Sequence, residues 1–154
     1  MTPAINRAKQ AGIAFTIHEY QHDADAASYG GEAATKLGVD AARVFKTLVA
    51  DADGQLIVGI VPVSAALDLK ALAAAAGVKR AQMAELAAAE RATGYVAGGI
   101  SPIGQKKALR TILDKSADGF TTIFVSAGRR GLEIELAPAD LIRLCNGKMA
   151  AIAR

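Results

Sequence analysis

The chain has 154 residues, of which 52% are hydrophobic and 21% charged, with a formal net charge of +3. This is the length of one domain with enough apolar content for a core, which excludes a disordered chain. The single cysteine, Cys145, excludes an intramolecular disulfide and a cysteine-rich metal centre.

The mildly basic balance is compatible with a nucleic-acid partner but does not define one, because no block of like charges occurs. No apolar run reaches the roughly 18 to 20 residues a membrane helix needs. The N-terminus lacks a basic stretch followed by an apolar one. A soluble, reducing, cytoplasmic setting is therefore expected. Much of the apolar content is alanine and tryptophan is absent, so the core should depend on Val, Ile and Leu.

Thr2 and Pro3 open a first helix, as cap and first-turn residue, and Gly12 closes it. Residues 13–20, "IAFTIHEY", read as a strand, 21–28 as a polar loop and 31–37 as a helix stopping at Gly38. The strongest local signal is "RVFKTLVADADGQLIVGIVPVS", two β-rich runs around the turn dipeptide Asp53-Gly54. Its first run, 44–50, is apolar on both faces, which predicts a strand buried on both sides. Helices follow over 68–77 and 83–94, closed by Gly77 and Gly94. Residues 95–100 and 109–114 read as short strands and 120–136 as a second hairpin. Pro138 starts a terminal helix ending near Asn146-Gly147. Helices mixed with antiparallel hairpins disfavour a simple βαβ repeat. They predict a mixed α/β domain, a curved mixed sheet approaching a barrel and surrounded by helices.

The stretch "GGISPIGQKK", 98–107, nearly spells a phosphate-binding loop. Gly99 and Gly104 have the right separation, but Gln105 stands where the lysine belongs and no Ser or Thr follows Lys106. Pro102 removes a backbone donor. A nucleotide-hydrolysing loop is rejected, and a glycine-permitted loop that brings backbone N–H groups to a ligand is retained.

Lys46 lies inside the doubly apolar strand. Two readings stand: a lysine at the floor of a cleft facing a polar ligand, or a strand-end lysine reaching water. Tyr20 and Tyr29 bracket the polar loop, where a tyrosine stacks on a base, donates to a carbonyl, or simply packs. His18 and His22 do not share a helix face, so a metal pair is not expected. Cys145 reads as a small buried hydrophobe. Ser126 and Glu133 sit in the second hairpin, as polar pocket lining or as ordinary turn neighbours. No Ser-His-Asp set or G-x-S-x-G elbow occurs, and Ser101 has no base beside it.

Three of these stretches, "VFKTLV", "TGYVAGGISPIGQKK" and "FVSAGRRGLEIEL", together with "FTIHEY", resemble the YbaK/EbsC family in order and spacing along essentially the whole chain. These are bacterial aminoacyl-tRNA deacylases that clear cysteine wrongly attached to proline tRNA, related to the editing domain of prolyl-tRNA synthetase. The resemblance implies one editing domain over 1–154, a barrel-like mixed α/β fold and no cofactor or metal. It implies Lys46 as the essential strand lysine and Tyr20 as an active-site tyrosine. Thr47, Ser126, Glu133 and Tyr29 correspond to pocket-lining positions, and Gly98, Gly99, Ile100, Ser101 and Pro102 to the G-x-x-x-P loop. Relatives often carry aspartate at Glu133 and another aromatic at Tyr29. The implied partners are the aminoacylated 3′ end of tRNA and prolyl-tRNA synthetase, with neither membrane nor DNA.

The family's mechanism accounts for the lack of an evident base or protein nucleophile. The cysteine thiol of the substrate attacks its own ester and leaves as a thiolactone, so the protein contributes orientation and backbone donors. The alternatives are the same site acting on another mischarged amino acid, such as alanine, by activated water, and a non-catalytic module that binds tRNA or a synthetase.

Overall fold

Two hairpins organise the chain. The computed structural model describes residues 1–23 and 29–154, and of Tyr29 and Gly30 the backbone alone. Most of the expected polar loop therefore lies outside the described residues. The first hairpin is β2 (Phe45–Ala52) and β3 (Gln55–Pro62). Asp53 and Gly54 both take positive φ, 53° and 89°, the primed turn whose twist matches the strands. The Asp51 carboxylate accepts from the Gly54 N–H at 2.7 Å and fixes it. The second hairpin is β6 (Ile123–Arg129) and β7 (Leu132–Leu136), with a register shift between Ser126 and Arg129.

The second hairpin joins β1 (Phe15–Glu19) in a three-stranded antiparallel sheet of order β1-β7-β6. The first belongs to a five-stranded sheet of order β4-β2-β3-β5-β8. Its other members are β4 (Gln82–Met83), β5 (Arg110–Asp114) and β8 (Lys148–Ala150). β2 pairs antiparallel with β3 and β4, whereas β3–β5 and β5–β8 are parallel. The mixed α/β architecture is thus present. The expected single curved sheet is two sheets sharing one core, with Val125 and Ile134 facing Phe45, Val49 and Ile60. They are stitched by a parallel bridge between Val44 and Phe124, whose N–H donates to Arg43 O at 3.0 Å.

Among the described residues, five α-helices surround the sheets: α1 (Pro3–Ala11), α2 (Tyr29–Leu37), α3 (Leu69–Ala76), α4 (Leu86–Thr93) and α5 (Pro138–Cys145). α1 is capped as its sequence demands, the Thr2 hydroxyl accepting from the Ile5 N–H at 3.2 Å. The same hydroxyl donates to Ala127 O and ties the helix to β6. No helix among the described residues is long and apolar enough to cross a membrane.

Three expectations are corrected. Residues 95–100 form a turn, not a strand, because they are held against α4 and β6 by the contacts described below. α4 begins at Leu86, since Met83 pairs with Ala50 as strand. β2 is not buried on both faces throughout: Lys46, Thr47 and Leu48 are half-buried while Phe45, Val49 and Ala50 are buried. The strand borders a cavity there.

Candidate active site

The cavity begins with an interrupted strand edge. The outer edge of β2 meets β6 at Val44 and β4 at Ala50, and among the described residues no strand pairs with it between these points. Alternate residues of a strand direct their N–H and C=O to one edge. Arg43 O bonds outward to Phe124 and Val49 O to the Ala84 N–H, while Val44 O bonds to Val63 on the inner side. Odd-numbered residues therefore face outward, and the backbone N–H and C=O of Thr47 face the gap. Its hydroxyl Oγ1 is, among the described residues, the buried side-chain polar atom that has no partner.

The three-stranded sheet supplies the facing wall. Glu133 lies opposite His18 on β1 and Ser126 on β6. These side chains occupy the face away from Ile17, Val125 and Ile134, because strand neighbours alternate. Tyr20 extends β1 by one residue, its N–H donating to Gly131 O at 3.0 Å. The Ser126 hydroxyl accepts from the Gly128 N–H at 3.1 Å within the bulge.

The glycine loop closes the remaining side as a rigid piece. The Glu90 carboxylate on α4 accepts from the Ala97 N–H at 2.8 Å, and the Gly99 N–H donates to Val96 O at 3.0 Å. Tyr95 OH donates to Ile103 O at 2.6 Å, and Gln105 donates to Ser101 O at 3.0 Å. At Gly99 a Cβ would stand 2.6 Å from the Arg129 Cα. Only glycine lets the loop lie this close to the β6 bulge.

Lys46, Tyr20, Thr47, Gly98, Ile100, Ser126 and Glu133 line one cavity of about 470 Å³. Gly99, Ser101 and Pro102 are buried behind its lining, where Ser101 Oγ accepts from the Ile103 N–H at 3.2 Å. The Tyr29 side chain lies outside the described residues. An apolar wall that the sequence did not reveal completes the cavity: Val49, Val63, Met83, Ala84, Leu86 and Ala89. Val49 comes from β2, Val63 follows β3, and the others come from β4, α4 and the residue before Glu85; none carries a motif. Only tertiary placement shows them.

The electrostatics are set by burial. Glu133 is 7% exposed, and desolvation pushes its carboxyl up to about 8, so it is mostly protonated at neutral pH. Burial and then the nearby Glu133 charge raise the Tyr20 hydroxyl, outweighing the hydrogen bond that the Gly131 backbone makes to that hydroxyl. Among the described residues, Lys46 is the one lysine or arginine on the lining. Elsewhere, His18 bonds Glu135 at 2.8 Å and His22 bonds Glu32 at 2.7 Å. No group of three His, Cys, Asp or Glu converges among the described residues. The Cys145 thiol donates to Leu141 O on its own helix, and burial pushes it up to about 11.

Fold and cavity together define an α/β domain with a pocket beside the interrupted edge of β2. The chain belongs to the aminoacyl-tRNA editing domain family, whose model matches residues 23–144. It is 40% identical over 152 residues to a protein of Enterococcus faecalis named "Putative Cys-tRNA(Pro)/Cys-tRNA(Cys) deacylase EbsC", covering 98% of this chain and 92% of that protein. Among solved structures it is similar to the one described as "a putative trans-editing enzyme for prolyl tRNA synthetase". There the TM-score is 0.86 at 20% identity, covering 100% of this chain and 99% of the other. The structure of the protein APE2540 superposes with a TM-score of 0.88 at 21% identity, covering 99% of each chain. These structural likenesses carry the fold.

Proposed function

We propose that this protein is a trans-acting aminoacyl-tRNA deacylase that removes cysteine from Cys-tRNA(Pro). The observation that carries the reading is the gap in the β2 edge, where Lys46 and the Thr47 backbone face Ser126, Glu133 and Tyr20 across one cavity. Such a site binds an ester: N–H donors face the carbonyl oxygen, a C=O accepts from the α-amino group, and a cation favours the developing negative charge. Neither cysteine nor histidine stands on the described lining, and the substrate supplies its own thiol.

The reaction takes place within the substrate. The cysteine sulfur bonds to its own ester carbon, the bond from that carbon to the tRNA 3′ oxygen breaks, and a thiolactone leaves. The thiol loses one proton and the 3′ oxygen gains one, so the step is balanced without a cofactor. Glu133, mostly protonated at neutral pH, has the proton to give to the leaving oxygen. Lys46 stabilises the oxyanion, and the cavity walls fold the aminoacyl group toward its ester, an effective-molarity contribution. The family membership and the 40% identical relative support this reading.

The test is release of labelled amino acid from Cys-, Ser- and Ala-tRNA(Pro). Cysteine should leave at least 100-fold faster than serine or alanine, which lack the thiol. Equal release of all three would assign the chemistry to activated water. Preferential release of alanine would overturn the substrate.

A further inference from the structure

The cavity is polar at one end and apolar at the other. β2 runs along it, with its first residues beside β6 and Ala50 beside β4. Tyr20, Ser126 and Glu133 stand at the β6 end, and Met83, Ala84 and Leu86 at the β4 end. Exposure follows the same direction. Glu133 is 7% exposed, whereas Met83 is 48% and Leu86 56% exposed.

Large exposed apolar side chains are few. Among the described residues they are Met1, Met83, Leu86 and Val96. Two of the four line this cavity, and Val96 adjoins Ala97, which also lines it. Apolar groups gathered at the mouth of a cleft mark an interaction site rather than scattered surface.

We propose that Met83 and Leu86 form a platform on which the 3′-terminal base of the tRNA lies while its aminoacyl ester reaches the polar end. The proposal rests on the editing reading and extends it to a nucleobase subsite. Three observations select the base. The polar end already suits the ester, so the other end holds what lies beyond the ribose. Strand rise of about 3.3 Å per residue separates Lys46 from Ala50 by about 13 Å, room for a ribose with a base beyond it. Met83 and Leu86 are uncharged and the exposed neighbour Glu85 is an anion, which suits the π-face of a base on the polarisable sulfur of Met83 rather than a phosphate. An amino-acid side chain placed on half-exposed residues would remain partly in water, a poor position for selection.

The experiment uses the full chain, Met83→Ala with Leu86→Ala, and two RNA minihelices followed by fluorescence anisotropy. One minihelix ends in CCA and the other carries an abasic terminal nucleotide. Wild type should bind the first about tenfold more tightly, and the double variant should bring the two within about twofold. Met83→Leu should retain the preference. With Cys-tRNA(Pro), the loss of kcat/KM in the double variant should reside in KM. Equal affinity of wild type for both minihelices would overturn the platform, as would equal weakening of both in the variant. An equal fall in kcat/KM on cysteine ethyl ester, which has no base, would assign the rim to the amino acid instead. A wild type that deacylates no aminoacyl-tRNA would overturn the editing reading, and the minihelix pair would still decide the platform.

Discussion

Lys46, Thr47 and Glu133 each make a different physical contribution, and each has its own test. Lys46 is the cation on the lining. Lys46→Ala should lower kcat/KM for Cys-tRNA(Pro) about 100-fold or more and leave the circular dichroism and the urea midpoint near wild type, because the residue is only half-buried. Wild-type turnover in that variant would remove Lys46 from the site. Thr47 carries a buried hydroxyl with no partner, which costs the fold about 1–3 kcal/mol. Thr47→Val, of nearly the same shape and with the same backbone in the gap, should raise stability by about 1 kcal/mol; a drop in stability would mean the hydroxyl is satisfied. Glu133 binds its proton more tightly folded, about 8, than its ordinary 4.5. Between these values the folded state holds a proton that the unfolded state has released, so the Glu133 contribution is fully present below about pH 4.5 and is lost as pH rises through about 8. Urea midpoints of wild type should decline over that window. Glu133→Gln should remove this part of the decline, and an unchanged slope would show that the carboxyl is already ionised.

At the scale of elements, the glycine loop is a rigid wall rather than a flexible cradle. Glu90, Tyr95 and Gln105 hold it from within, and Gly99 brings it against Arg129. Gly99→Ala places a Cβ 2.6 Å from a backbone atom, so the loop or the bulge must shift. The expected loss is about 1–3 kcal/mol of stability, together with impaired deacylation because Gly98 and Ile100 move with it. A variant of unchanged stability and activity would show that the loop yields freely. This wall also marks where sequence reading fails. "YVAGGI" has the apolar content of a strand, but a carboxylate seven residues away in the chain and a backbone contact across the fold decide its shape. The hairpins were legible because alternation and an Asp-Gly turn are local signals. β4 and β8, of two and three residues, are too short to show a period. Lys46, Tyr20 and Glu133 were readable as candidates by chemistry. The apolar rim was not, because Met83 and Leu86 are exposed only through the way β4 turns into α4.

For the whole molecule, the proposed function requires the cavity to receive the end of a long polyanion. The net charge is only +3 and no block of like charges occurs, so few phosphate contacts are expected. Affinity for tRNA should fall with the logarithm of salt concentration with a slope of about −2, the value for two or three phosphate contacts. A slope of zero would deny phosphate contact, and one steeper than about −6 would require an extensive basic surface. On the proposed mechanism, selectivity should then come mostly from the chemistry at the ester. The most direct measurement is deacylation of Cys-tRNA(Pro) beside the same tRNA bearing S-methylcysteine, at equal concentration and pH. Release of cysteine with the methylated substrate left intact is the expected result. Equal release from both, with the thiol blocked, would contradict attack by the substrate's own sulfur.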